Sequence, residues 1–272
     1  MKKSRTTRQL PYTVLGLVFL AVMLFPVYWM INTSLQGGGT AASSTFFPFD
    51  PTLEGYTKAL TQQTGNLVTS LIVASGAVAV SLVIATPAAY ALSRFKLRGM
   101  GVFMFALLIA QMIPGIVIAN SLYTLFNDLG LLNSYLGLIL ADATHSVPFA
   151  ILIMAAFMRS IPPSLAEAAR VDGASHLRAF WSIIVPVSRN SIITAGLFSF
   201  LFAWSDFIFA LTLTTGESIK PITLGIYDYL EGNVQSWGPV MATAVMSSVP
   251  AIVLLVFAQR YIAAGALGGA VK

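Results

Sequence analysis

Three ionisable residues sit inside apolar runs of this chain: Asp142, His145 and Asp206. Such groups are costly at membrane depth and mark candidate sites. Asp142 and His145 are three residues apart, so on a helix they share one face. Together they suit a polar pathway or a proton relay. The alternative is a satisfied pair bonded to a neighbouring span. Asp206 follows Trp204 by two residues. A carboxylate beside an aromatic ring suits a sugar: the acid accepts hydroxyl protons and the ring stacks on the apolar sugar face. The alternative there is a helix-end carboxylate bonded within the bundle. Gln111 and Asn120 place two more polar groups in an apolar run and complete the candidates for a translocation path.

Catalytic chemistry has no foothold. The chain lacks the G-x-x-x-x-G-K-[ST] phosphate loop, and no Ser/His/Asp set falls at one depth. It has no cysteine, and its second histidine, His176, lies in a polar loop. A metal centre is therefore not expected. The chain reads as a protein that is not an enzyme and binds no cofactor of its own.

The elements that must hold these residues are apolar. Of 272 residues, 57% are hydrophobic and 9% charged, against about 25% charged in soluble domains. The pattern predicts one all-α integral membrane domain over residues 1–272, with spans at about 10–31, 67–92, 100–126, 135–158, 191–213 and 239–257. The first run is longer than the roughly 7–15 residues of a signal-peptide core, so it reads as an uncleaved span. Pro114-Gly115 predicts a kink in the third. Residues 36–66 read as a polar excursion, and 214–238 as an outer loop. In the second span, Ala77, Ser81, Ala85 and Ala89 repeat every four residues. This small face permits close helix approach, either to a partner subunit or within the chain's own bundle.

Six spans put both termini on one side. Thirteen of the 15 basic residues, from Lys2 and Lys3 to Lys272, fall in segments on that side; Lys58 and Lys220 do not. By the positive-inside rule that side is the cytoplasm. The basic residues are thus topology signals, not a nucleic-acid surface.

The longest cytoplasmic loop, 159–188, has its own grammar. Ile161-Pro162-Pro163 cannot continue a helix. Ser164 and Glu167 have capping-box spacing, which predicts a short helix from about Leu165. Gly173 is placed to end it in the left-handed conformation. A second helical piece is predicted from about Ser175 to Ile184, stopping at Pro186.

This loop, Glu167-Ala168-Ala169-Arg170-Val171-Asp172-Gly173 running to Ile183-Ile184-Val185-Pro186, resembles the "EAA" loop of ATP-binding-cassette (ABC) importer permeases, in the carbohydrate, maltose-type branch. Val185 stands where that pattern usually has Leu. Asn190 stands where the branch often has a second proline, which predicts a less sharp bend into the next span. Phe200 to Phe207 resembles a family segment in which Trp is followed by Asn and an acidic residue; here Ser205 replaces the Asn. The resemblance implies the type I permease fold in the cytoplasmic (inner) membrane. It also implies ATPase-coupling roles for Ser164, Glu167, Ala168, Ala169, Asp172, Gly173 and Pro186. The implied partners are a second homologous permease, a dimer of ATPase subunits carrying ATP and Mg, and an extracytoplasmic solute-binding protein. Gln259-Arg260-Tyr261 and Gly269 to Lys272 are similar to permease tails that reach the ATPase pair. The solute implied is a di- or oligosaccharide, with glycerol-phosphate-type solutes carried by the same branch. A self-sufficient proton-coupled transporter is the competing class, and it leaves the loop unexplained. An assembly protein is the third.

Overall fold

Long apolar runs with few charges become helices because the bilayer core offers no other partner for backbone amides. The computed structural model describes residues 5–37, 44–95, 98–216, 218–231 and 236–270. Lys2, Lys3, Lys96, Glu217, Gly38, Gly39, Val271 and Lys272 lie outside that set. The helices are α1 (Arg5–Ser34), α2 (Glu54–Arg94), α3 (Met100–Ala110), α4 (Gly115–Asp128), α5 (Tyr135–Ser160), α6 (Ser164–Val171), α7 (His176–Ala179), α8 (Val185–Val187), α9 (Arg189–Ser205), α10 (Ile208–Leu213), α11 (Ile222–Glu231) and α12 (Trp237–Ala270). A π-turn, Phe180–Ile184, joins α7 to α8. No strand occurs among the described residues, only an isolated bridge between Gln36 and Pro51. Four helices are long and apolar enough to cross a membrane, and six spans result if each of two bent pairs counts once.

The contacts fall into two compact units. In the larger, residues 65–225 and 249–272, α5 is central. Ala85, Ala89 and Leu92 of α2 pack with Ala150, Met154 and Met158 of α5. The small face of α2 is the reason they fit: Ala77, Ser81, Ala85 and Ala89 are all fully buried. Of the two uses foreseen for that face, packing within the chain's own bundle is the one observed for Ala85 and Ala89. Gly76 extends the close approach, since a Cβ there would fall 2.4 Å from Ile139 Cδ1.

In the smaller unit, residues 1–64 and 226–248, the end of α1 is tied to the segment after it. Tyr28 donates to the Phe46 carbonyl, and Asn32 Nδ2 donates to Thr45 O at 2.7 Å. Gly55 lies so near Gly238 that a Cβ would meet its carbonyl carbon at 2.9 Å. Residues 11–28 of α1 are exposed.

Several boundaries differ from the sequence expectation. The second helix begins at Glu54, in what reads as a polar excursion. Its hydroxyls are satisfied within the helix: Thr57 and Thr61 donate back to the carbonyls of Leu53 and Thr57. The outer loop contains α11, whose first amide, Ile222 N, donates to Ser70 Oγ at 2.8 Å. The sixth helix continues to Ala270. The fifth span is interrupted: α9 stops at Ser205 and α10 resumes at Ile208.

The cytoplasmic loop also departs from prediction. The N-cap of α6 is Pro163, with no side-chain cap. The amides of Ala166 and Glu167 bond to the Pro163 carbonyl at 3.1 and 3.2 Å. Ser164 is therefore the first helical residue and not the cap, because proline's φ is already helical and lets the helix begin one residue earlier. Pro186 does not stop the second piece. It sits inside α8, straight after the π-turn, where the wider turn accommodates its missing amide. The chain instead bends by 75° between His176–Val187 and Arg189–Ser205. A second proline is not needed for a sharp bend, since Ser188 leaves the helical region with φ −85 and ψ 3.

Candidate functional site

Two helix breaks and one polar face meet in the larger unit. The first break is Gln111 to Pro114, where α3 and α4 turn by 95°. Pro114 supplies the N-cap of α4 in an extended conformation, as expected of a residue that cannot continue a helix. The second break is Asp206-Phe207. The polar face is that of α5, where Asp142 and His145 lie one turn apart.

These three features line a single cavity of about 320 Å³. Gly115, Asp142, His145, Phe202, Ser205 and Asp206 are among its walls. Irregular backbone at membrane depth is tolerated where it is buried in protein or lines a water-filled space, which accounts for both breaks meeting here. Asp206 has two roles at once. Its Oδ1 accepts from Phe209 N at 3.3 Å and its Oδ2 from Ala210 N at 3.0 Å, so it caps α10. Its own carbonyl accepts from Thr223 Oγ1 at 2.7 Å. Asp142 is buried yet borders the cavity. Among the described residues, no lysine or arginine borders it. Gln111 braces the site from behind, donating to the His145 carbonyl at 3.3 Å.

The structure thus brings Asp142, His145 and Asp206 together, with Gln111 adjacent. Trp204 is elsewhere: it is buried and stacked on Phe200, with ring centroids 5.4 Å apart and planes 14° apart. Asn120 lies exposed on α4 and does not border the cavity. The aromatic rings that border the cavity with the carboxyl groups are Phe202, Phe207 and Phe209; Phe202 stands edge-on to His145 at 4.9 Å. Helical spacing carried that signal, since residues four apart share a face and residues two apart do not. Phe202, not Trp204, is four from Asp206.

The loop 159–188 forms a second feature. Gly173 adopts φ +88. Its amide bonds to Arg170 O at 3.1 Å and that of Ala174 to Ala169 O at 2.9 Å. This pair of bonds is a Schellman motif closing α6. Ala169 is buried toward the bundle, while Glu167, Ala168, Asp172 and Gly173 are exposed. Val171, Leu177 and Trp181 are 87%, 68% and 60% exposed. A loop showing water this much apolar surface has the character of a protein-docking face. Beneath it, Phe180 and Ile184 are buried in the cluster that holds Met154 and Met158, and Phe180 lies 5.1 Å from the Tyr90 ring of α2. The junction is thus close-packed against α2 and α5.

Residues 77–266 match the family described as the binding-protein-dependent transport system inner membrane component. The chain is 36% identical to a probable ABC transporter permease protein of Sinorhizobium fredii, over 99% of this chain and 98% of that protein. It is 31% identical to a trehalose/maltose transport system permease protein of Thermococcus litoralis, over 95% of each. Among solved structures, it is similar in fold to a chain of a bacterial alginate ABC transporter in complex with an alginate pentasaccharide-bound periplasmic protein. There the TM-score is 0.67, at 17% identity over 93% of this chain and 94% of that one.

Proposed function

Since the chain belongs to the family of binding-protein-dependent transport system inner membrane components and is a multi-pass permease subunit of an ABC importer, we propose that it carries a neutral di- or oligosaccharide past the Asp142–Asp206 cavity. The observation that carries this reading is the convergence of two carboxyl groups, an imidazole and the Phe202 ring on one space that no described lysine or arginine borders. Carboxyl groups hydrogen-bond the hydroxyls of a sugar and the ring packs on its apolar face, whereas a phosphate or uronate would find no cationic side chain among the described lining residues. The trehalose/maltose relative supports a neutral saccharide. The glycerol-phosphate alternative fits this cavity poorly.

ATP and Mg belong to a separate pair of ATPase subunits in this reading, and the chain itself catalyses nothing. A second homologous permease and an extracytoplasmic binding protein complete the complex. Leu165 and Val171 of α6 enter a cleft of the ATPase, with Glu167, Ala168, Asp172 and Gly173 around them. Closure of the ATPase pair pushes α6, the Phe180–Ile184 junction passes the motion to α2 and α5, and the cavity changes the side to which it opens. The proton-relay alternative for Asp142, His145 and Asp206 draws no support from the relatives.

The test is ATP-driven uptake by the assembled complex in liposomes with its binding protein, offered a panel of neutral disaccharides, uronate oligosaccharides and glycerol 3-phosphate. Saturable uptake of a neutral saccharide that needs internal ATP supports the proposal. Uptake of only the anionic solutes, or uptake without ATP, overturns it.

A further inference from the structure

A second cavity, of about 650 Å³, lies between α2, α9 and α12. Its walls are apolar and include Val78 and Leu82 of α2, Ile193 and Phe200 of α9, and Val253 and Phe257 of α12. Val253 and Phe257 are 46% and 66% exposed, so this groove opens sideways. Ile193 and Tyr261 also border a smaller cavity of about 330 Å³, completed by Arg189 and Arg260. The two spaces are therefore adjacent. By the distribution of basic residues, the arginine end is the cytoplasmic one.

The arginines are set up to receive an anion. The Arg260 guanidinium stands 4.8 Å from the Tyr261 ring centroid, and its Nη2 donates to the Tyr261 hydroxyl at 2.8 Å. The salt bridge found among the described residues joins Lys58 to Glu54; neither arginine has a carboxylate partner there. An apolar slot ending in two guanidinium groups at the level of the inner headgroups matches one kind of molecule. We propose that this composite cavity binds an anionic phospholipid of the inner leaflet, with an acyl chain along Val78, Leu82, Val253 and Phe257 and the phosphate between Arg189 and Arg260. Basic pockets between helices on the cytoplasmic side hold acidic headgroups in this way. Guanidinium geometry suits phosphate oxygens better than a single point charge does. A protein helix filling the same groove would need its own acid at that point to use the two guanidinium groups.

The assembled transporter, delipidated in detergent, is titrated with dioleoyl phosphatidylglycerol and with dioleoyl phosphatidylcholine and read by native mass spectrometry. Expected is at least fivefold greater retention of the glycerol lipid, lost in R189Q/R260Q and largely restored in R189K/R260K. Millimolar inorganic phosphate leaves the bound lipid in place. Equal retention of the two lipids, indifference to R189Q/R260Q, or displacement by phosphate overturns the proposal. If R189Q/R260Q does not assemble, Val253→Trp fills the groove from its open side and reduces retention instead. A photocrosslinker attached at Val253→Cys, in a chain with no other cysteine, labels lipid; labelling of a second permease chain overturns the proposal.

Discussion

Asp142 of α5 and Asp206 at the α9–α10 break border the same cavity, although an entire cytoplasmic loop separates them in the chain. Asp206 is held there by the amides of Phe209 and Ala210, so its capping role and its place in the path can be separated by substitution. Asparagine keeps one of the two acceptor oxygens that cap α10, whereas alanine keeps neither and costs about 1 kcal/mol. Asp206→Asn is therefore expected to retain more of the thermal stability of the complex than alanine does, and to lose uptake. Asp206→Ala loses both. Uptake by Asp206→Asn at the parental rate would make this carboxylate structural.

Val171 tests the docking face without disturbing the fold. At 87% exposed it has almost no packing to lose, and exposed substitutions ordinarily change stability by no more than about 0.5 kcal/mol. Val171→Asp adds a charge to the apolar face of α6. The expected outcome is unchanged expression and melting of the chain, with ATPase subunits no longer co-purifying. Undiminished co-purification would place ATPase contact elsewhere on the loop.

Gly173 offers a graded test of the same junction. The space around its missing Cβ is open, and the demand is on φ alone, at +88. Alanine there carries the left-handed penalty of about 1–2 kcal/mol. Gly173→Ala is expected to keep assembly and lose part of the solute-stimulated ATPase activity. Gly173→Pro cannot reach that φ and is expected to uncouple ATP hydrolysis from uptake or prevent assembly. Normal uptake by the proline variant would sink the coupling role assigned to α6.

The small face of α2 predicts intolerance of bulk. Ala85 is fully buried and belongs to the cluster that contains Met154 and Met158. Overpacking of a close-packed site typically costs about 1–3 kcal/mol. Ala85→Leu is expected to lower the melting temperature of this chain purified alone, before any partner is present. A loss visible only in the assembled complex would instead mean that the face serves a partner.

The apolar helices and the end of α6 were legible in the sequence because they depend on composition and on neighbours a few residues apart. Hydrophobic run length sets which segments can cross a membrane, and Gly173 announces a left-handed stop by itself. The convergence of Asp142, His145 and Asp206 was not legible, since it depends on how α5 packs against two broken helices, and no local pattern encodes that distance. Trp204 was the attractive ring by sequence proximity. Helical rotation turns it onto Phe200 and turns Phe202 to the cavity instead. The caps of α6 and the bend at Ser188 were decided by competition among backbone acceptors, with proline carbonyls and a π-turn prevailing over the Ser164 side chain and a stop at Pro186. The slot ending at Arg189 and Arg260 arises only in three dimensions, because each arginine alone reads as one more inner-side charge.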